Sequence, residues 1–278
     1  MESSWSRTVK CRAVWPEKFG MTIDYMSTGN RDNPVMMMLH GIGGAAESFT
    51  PQMQAFSDDF NVVAWNMPGY GKSAPLQPLS FEALAEALAE LMDDIDAATS
   101  HIVGHSIGGM VAQQFVAGYP EKVSSLTLVA TSAAFGGRDG DFQRRFIADR
   151  LGPLDRGASM NELATSIIDS LTGDNPDPDT IQLAYRTMAG VSEATYRANM
   201  ELLVTFDLRQ NLGRIHVPVL LVAGEKDTNA PPVVMEKMGT FIPDARFECI
   251  KGAGHLVNLE QPAAFNDVLR NFLYSLQT

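Results

Sequence analysis

The residues that could do chemistry gather first at Gly104-His105-Ser106-Ile107-Gly108, which follows the apolar pair Ile102-Val103 and precedes a helix-like run over 110–117. Glycines two places before and two places after a serine let a chain double back at a strand end, where a side chain would strike a neighbouring element. The serine hydroxyl is then left at the tip of a strand, turn and helix. The N–H of Ile107 points out of the first helical turn, where the dipole favours negative charge. That geometry suits an acyl-transfer nucleophile; a glycine-rich turn whose serine satisfies only local backbone groups is the plainer alternative. Three other stretches carry matching chemistry. His40-Gly41-Ile42-Gly43-Gly44 follows an apolar run, and its glycines allow main chain to pass close to a bound molecule. Gly224-Glu225-Lys226-Asp227 offers a carboxylate after another apolar run, and Gly252-Ala253-Gly254-His255 places an imidazole on a flexible loop.

The elements that must position these groups are legible from periodicity. Residues 9–15 and 21–27 mix apolar and polar positions around a Pro-Gly stretch and read as an opening antiparallel pair. Residues 35–39 are a continuous apolar run suited to a strand covered on both faces, 61–65, 123–130 and 217–223 read as further strands, and 246–250 forms the last strand. Three adjacent methionines at 36–38 read as adaptable core packing rather than a metal site. Thr50-Pro51 predicts a helix start with the hydroxyl at the cap, running to about Asp58. Ser80 caps a helix whose Phe81, Leu84, Leu88, Leu91 and Ile95 recur on one face, with acidic residues on the other. A closing helix spans about 262–276. Strand and helix alternate, which implies a mostly parallel sheet with helices on both faces. The alternation breaks over 136–213, where helices are expected at 141–151, 158–171, 179–188 and 192–206 and no strand is convincing.

With these motifs in this order, the chain resembles the α/β-hydrolase superfamily. Residues 40–44, 104–109 and 252–260 look most like its esterase and 3-oxoadipate enol-lactonase branch. The resemblance implies an α/β fold with a mostly parallel eight-stranded sheet, a core domain over 1–135 and 214–278, and a helical cap inserted at 136–213. It implies Ser106 as nucleophile, His255 as general base and Asp227 as the acid that orients it. The main-chain N–H groups of Ile42 and Ile107 would form the oxyanion hole. Glu225 is the nearest rival acid and reads as a turn carboxylate. His40, Gly41 and Gly43 would lie against substrate, with the His40 ring ordering its loop rather than transferring a proton. Asn66 stands where the family usually has an aspartate, and organises its loop. The implied reaction is hydrolysis of a carboxylic ester or enol-lactone of a small substrate, acidic in one version, through an acyl-enzyme. A serine in place of an aspartate at the elbow speaks against dehalogenase and epoxide hydrolase chemistry. Carbon–carbon hydrolysis of a ring-cleavage diketone is the second enzyme reading, and a ligand receptor that retains the triad is the non-enzyme one. No cofactor and no metal are implied.

Composition bounds the partners. The chain has 278 residues, 45% of them hydrophobic and 19% charged, as expected for a folded globular protein. A formal net charge of −12 repels phosphate backbones and anionic lipid, so a small molecule is the expected partner, with no nucleic acid and no membrane. A homo-oligomer is compatible with these features. Residues 1–7 lack the apolar core of a secretory signal, and with Cys11 and Cys249 read as two buried, unbridged thiols the expected location is the cytoplasm. The eight basic residues of the 136–213 insertion are all arginine, from Arg138 to Arg209. A guanidinium fork suits a carboxylate, so one of them is a candidate for holding an acidic substrate.

Overall fold

Short runs of apolar residues form the strands, and the longer periodic segments between them form the helices, in a computed structural model that describes residues 22–137, 140–174 and 176–276. In chain order these are β1 (Tyr25–Thr28), β2 (Val35–Leu39), α1 (Thr50–Phe56), β3 (Asn61–Trp65), α2 (Phe81–Asp94), β4 (Ser100–His105), α3 (Ile107–Gly118) and β5 (Val123–Val129). Then follow α4 (Asp141–Asp155), α5 (Met160–Leu171), α6 (Pro178–Ala189), α7 (Glu193–Leu203), β6 (Val219–Gly224), α8 (Pro232–Gly239), β7 (Arg246–Ile250), α9 (Val257–Glu260) and α10 (Pro262–Tyr274). The strands make one sheet in the order β1-β3-β2-β4-β5-β6-β7, with only β1 antiparallel to its neighbour. Seven strands lie among the described residues, where eight were expected. The expected strand at 9–15, like Cys11, falls outside them.

Because strand side chains alternate, each central strand feeds a separate core on either face. Met37, Val63, Ile102 and Leu126 pack with Leu84 and Leu88 of α2, Phe115 of α3 and Met235 of α8. Met36, Met38, Val62 and Val103 pack with Met53 and Phe56 of α1 and Phe265 and Leu269 of α10. The methionine run is thus divided between the two cores, and all three side chains are fully buried.

Two local expectations are corrected. Thr50 does not cap α1: residues Ala46–Phe49 form a single 3₁₀ turn ahead of it, and the Thr50 hydroxyl donates to the Glu47 carbonyl instead. Cys249 is exposed rather than buried, because β7 is an edge strand of the sheet formed by the described residues. Ser80 does cap α2, accepting from the Ala83 N–H at 3.1 Å.

The four helices between β5 and β6 appear where periodicity placed them. Each of the last three starts on a polar cap: Ser159 with a reciprocal Glu162, Asp177 ahead of Pro178, and Ser192. An isolated bridge between Ala134 and Asp207 draws the two ends of the insertion together. Among the described residues no helix is long and apolar enough to cross a membrane.

Candidate active site

The carboxyl ends of the parallel strands converge on Ser106. It joins β4 to α3 with φ 55° and ψ −121°, a backbone state that costs a non-glycine residue about 1–3 kcal/mol. The surrounding chain holds it there. Its N–H donates to the Val129 carbonyl at 2.9 Å, and its carbonyl accepts from the Thr131 hydroxyl at 2.8 Å. The flanking glycines are a steric necessity, since a Cβ on Gly104 would lie 2.5 Å from the Gly108 carbonyl oxygen, and one on Gly108 would lie 2.2 Å from that of Leu39.

His255 reaches this serine from the loop after β7. Its Nε2 is 3.1 Å from Ser106 Oγ, and its Nδ1 is 2.8 Å from Asp227 Oδ2, which comes from the loop after β6. A carboxylate only accepts, so Nδ1 carries the proton and Nε2 is left to accept from the serine hydroxyl. The other carboxylate oxygen, Oδ1, accepts from the N–H groups of Asn229 at 2.7 Å and Ala230 at 3.0 Å. Burial works against ionisation of Asp227, yet the His255 ring and those two N–H groups together hold its carboxyl below the ordinary value. Glu225 is elsewhere: its carboxylate accepts from the Gly252 N–H at 3.0 Å and faces Lys226, a turn role away from the imidazole.

The loop after β2 passes over the serine from the other side. A Cβ on Gly41 would sit 3.2 Å from that of Ser106 and 2.9 Å from His105 Nδ1, so only glycine lets the main chain through. The Ile42 carbonyl is fixed by the Tyr70 hydroxyl at 2.9 Å. Ile107 is the first residue of α3, and helix geometry leaves its N–H without an intrahelical partner. Gly43 abuts Met188 of α6. Both ring nitrogens of His40 are committed to main chain: Nδ1–H donates to the Gly41 carbonyl at 2.7 Å and Nε2 accepts from the Met67 N–H at 3.1 Å. Burial lowers its pKa to about 4, with the Gly41 bond acting in the opposite direction, so the ring is neutral and holds the loop. Asn66 ties the neighbouring loop through Ala46 N–H and Asp24.

Ser106, His255 and residues 40–44 form the floor of a cavity of about 530 Å³. Its upper wall comes from α4–α7 and is largely apolar, with Phe146, Ile167, Met188 and Met200 among the contributors. Among the described arginines of the insertion only Arg150 reaches this wall. Its guanidinium lies 5.2 Å over the Phe146 ring, donates to Asn229 Oδ1 at 3.2 Å, and has no carboxylate partner among the described residues.

Two residues of the site went unassigned in the sequence. His105 donates from Nε2 to the His255 carbonyl at 2.8 Å, and burial, helped by the neighbouring His255, lowers its pKa to about 3. Glu260 is buried and accepts from the N–H groups on either side of His255. A glutamate closing a stretch with three apolar residues, Leu256-Val257-Asn258-Leu259-Glu260, was the available signal for the second.

A family profile described as the alpha/beta hydrolase fold matches residues 34–262. The chain belongs to the α/β-hydrolase family. It is 31% identical to the pimeloyl-[acyl-carrier protein] methyl ester esterase of Neisseria meningitidis, over 85% of this chain and 92% of that protein. It is 26% identical to 3-oxoadipate enol-lactonase 1 of Acinetobacter baylyi, over 93% of this chain and 95% of that protein. Among solved structures, the enol-lactonase of Burkholderia xenovorans LB400 superposes with a TM-score of 0.81, covering 92% of this chain and 98% of that one at 24% identity, a likeness of fold. The chain is thus an enzyme of the hydrolase class, and the receptor reading falls away.

Proposed function

We propose that this hydrolase cleaves a carboxylic ester or lactone of a small substrate through an acyl-enzyme on Ser106. The observation that carries the reading is the hydrogen-bonded line from Ser106 Oγ through His255 to Asp227 on the floor of a cavity of about 530 Å³. Relatives that act on a methyl ester and on an enol-lactone support the same class.

In this reading His255 Nε2 takes the Ser106 proton as Oγ adds to the acyl carbon. The carbonyl oxygen, now negative, is received by the N–H groups of Ile42 and Ile107. Asp227 keeps the proton of His255 on Nδ1 and offsets the positive charge of the ring while the tetrahedral species exists. The ring then returns its proton to the leaving alkoxide; water, deprotonated by the same nitrogen, releases the acid. Residues 136–213 act as a cap that shapes the acyl pocket. Arg150 is the group in that cap suited to a carboxylate on the substrate, since its charge faces the cavity without a carboxylate partner among the described residues.

The test is turnover of an ester and enol-lactone panel, with ring-cleavage diketones alongside, by the wild type and Ser106→Ala. Ester or lactone turnover is expected in the wild type, with a loss of about three or more powers of ten in the variant. A variant that keeps most of its activity would sink the mechanism, and diketone cleavage without ester turnover would replace the reaction.

A further inference from the structure

The carboxylate of Glu260 takes no part in the chemistry above, yet it is 1% exposed. It accepts three main-chain N–H groups: Gly173 at 2.6 Å and Gly254 at 2.8 Å on Oε2, and Leu256 at 2.9 Å on Oε1. Gly254 and Leu256 flank His255, whereas Gly173 follows α5 in the helical insertion. The same two stretches are also joined main chain to main chain. The His255 N–H donates to the Leu171 carbonyl at 2.7 Å, the Asp174 N–H to Gly252 at 2.7 Å, and the Asp177 N–H to Glu260 itself at 2.9 Å. The backbones are in such close contact that a Cβ on Gly173 would lie 2.2 Å from the Gly252 oxygen, and one on Gly254 would lie 2.4 Å from the Leu171 oxygen. On its other side the His255 carbonyl is held by His105.

From this clasp we infer that Glu260 is a positioning residue: it fastens the end of the insertion between α5 and α6 to the loop bearing His255, and so aligns the base with Ser106. The inference rests on the reading of His255 as base. Three N–H donors aimed at one carboxyl group require acceptors at both oxygens, which the ionised form supplies. Burial holds the Glu260 pKa above the ordinary carboxylate value, although the three N–H bonds and the His255 ring act to lower it. An anion there also favours the protonated imidazole that appears midway through acyl transfer. The titratable groups facing His255 are Asp227 from the loop after β6, His105 from the end of β4 and Glu260 from α9. Farther along the clasp, Asp174 faces Lys226 at 3.5 Å, Glu225 binds the Gly252 N–H, and the Asp177 carboxylate caps α6.

The experiment uses the full chain, with Glu260→Gln and Gly173→Ala compared with wild type on p-nitrophenyl acetate, an ester too small to depend on the cap wall. Both variants are expected to lose about tenfold or more in kcat with KM within about twofold, the mark of a misplaced reacting group. In Glu260→Gln the acidic limb of kcat/KM should move to lower pH. Independently of turnover, the ring C–H resonance of His255 in ¹³C-histidine-labelled protein should titrate at lower pH in Glu260→Gln than in wild type. Unchanged titration together with kcat within about twofold would overturn the inference, as would activity falling only in proportion to folded protein. If Glu260→Gln does not fold, Gly173→Ala decides, and an unchanged kcat there overturns it. A wild type inert toward every ester would count against the Ser106 reading alone, because the NMR titration still answers this question.

Discussion

Two carboxylates two residues apart, Glu225 and Asp227, follow β6, and their surroundings separate them. Asp227 is buried, with one oxygen on the imidazole and the other on two N–H groups, whereas Glu225 closes a turn through Gly252. Replacing Asp227 by Asn would present an amide that can stabilise the wrong tautomer of His255, and a loss of about 10⁴ in kcat is expected. Glu225→Gln should stay within about threefold. Steady-state kinetics of the two variants on one ester checks this, and comparable losses would mean the wrong acid has been chosen. At this scale the sequence was most informative about the side chains that the structure brings together: Ser106, Asp227 and His255 each announce themselves by type and by the glycines around them. His105 and Glu260 did not, because their partners are main-chain atoms of residues 150 and 4 to 87 positions away, and a backbone amide leaves no mark on residue type.

The helices of the insertion were readable for a different reason. Ser159, Asp177 and Ser192 are polar caps at the head of apolar-periodic runs, so the existence of α5, α6 and α7 follows from local chemistry. Which arginine faces the cavity does not, since that depends on how α4 lies against α7. The structure singles out Arg150, beside Tyr196. Burial pushes the Tyr196 hydroxyl up to about 12 while the Arg150 charge pulls the other way, and that hydroxyl has no hydrogen-bond partner among the described residues. Arg150→Gln should therefore lower kcat/KM for a dicarboxylate monoester by about tenfold relative to the matching neutral diester, the range of a charge-assisted hydrogen bond. An unchanged ratio between the two substrates would show that the guanidinium serves only to cover Phe146.

For the molecule as a whole, two buried rings set a pH dependence. His40 and His105 have pKa values lowered to about 4 and about 3 from an ordinary 6.5, so between those values the unfolded chain binds protons that the folded chain does not. Stability is thus fully present above about pH 6.5 and falls as the pH drops toward 4, by about 1.4 kcal/mol per pH unit for each ring. Asp227, held below its ordinary value, adds a loss only at still lower pH. The formal charge of −12 acts oppositely, since acid relieves repulsion. The deciding comparison is therefore His105→Asn against wild type, with Tm measured from pH 7.5 to 4.5. A shallower decline is expected in the variant, and parallel curves would refute the assignment. The mostly parallel character of the sheet, by contrast, was written in the alternation of apolar runs with amphipathic ones; the exposure of Cys249 on β7 was not, because what covers a strand depends on its neighbours and leaves no mark on its own residue types.

The main-chain contacts joining Leu171, Gly173 and Asp174 to the residues around His255 bear on how such an enzyme could be re-engineered. Grafting a foreign segment in place of 136–213 would remove the contacts that Leu171, Gly173 and Asp174 make with the loop around His255, and on the inference above the transplant would lose activity whatever pocket it carried. A graft confined to α4 and α7, or one that keeps the native chain around Gly173, leaves those contacts whole and changes only the shape of the chamber.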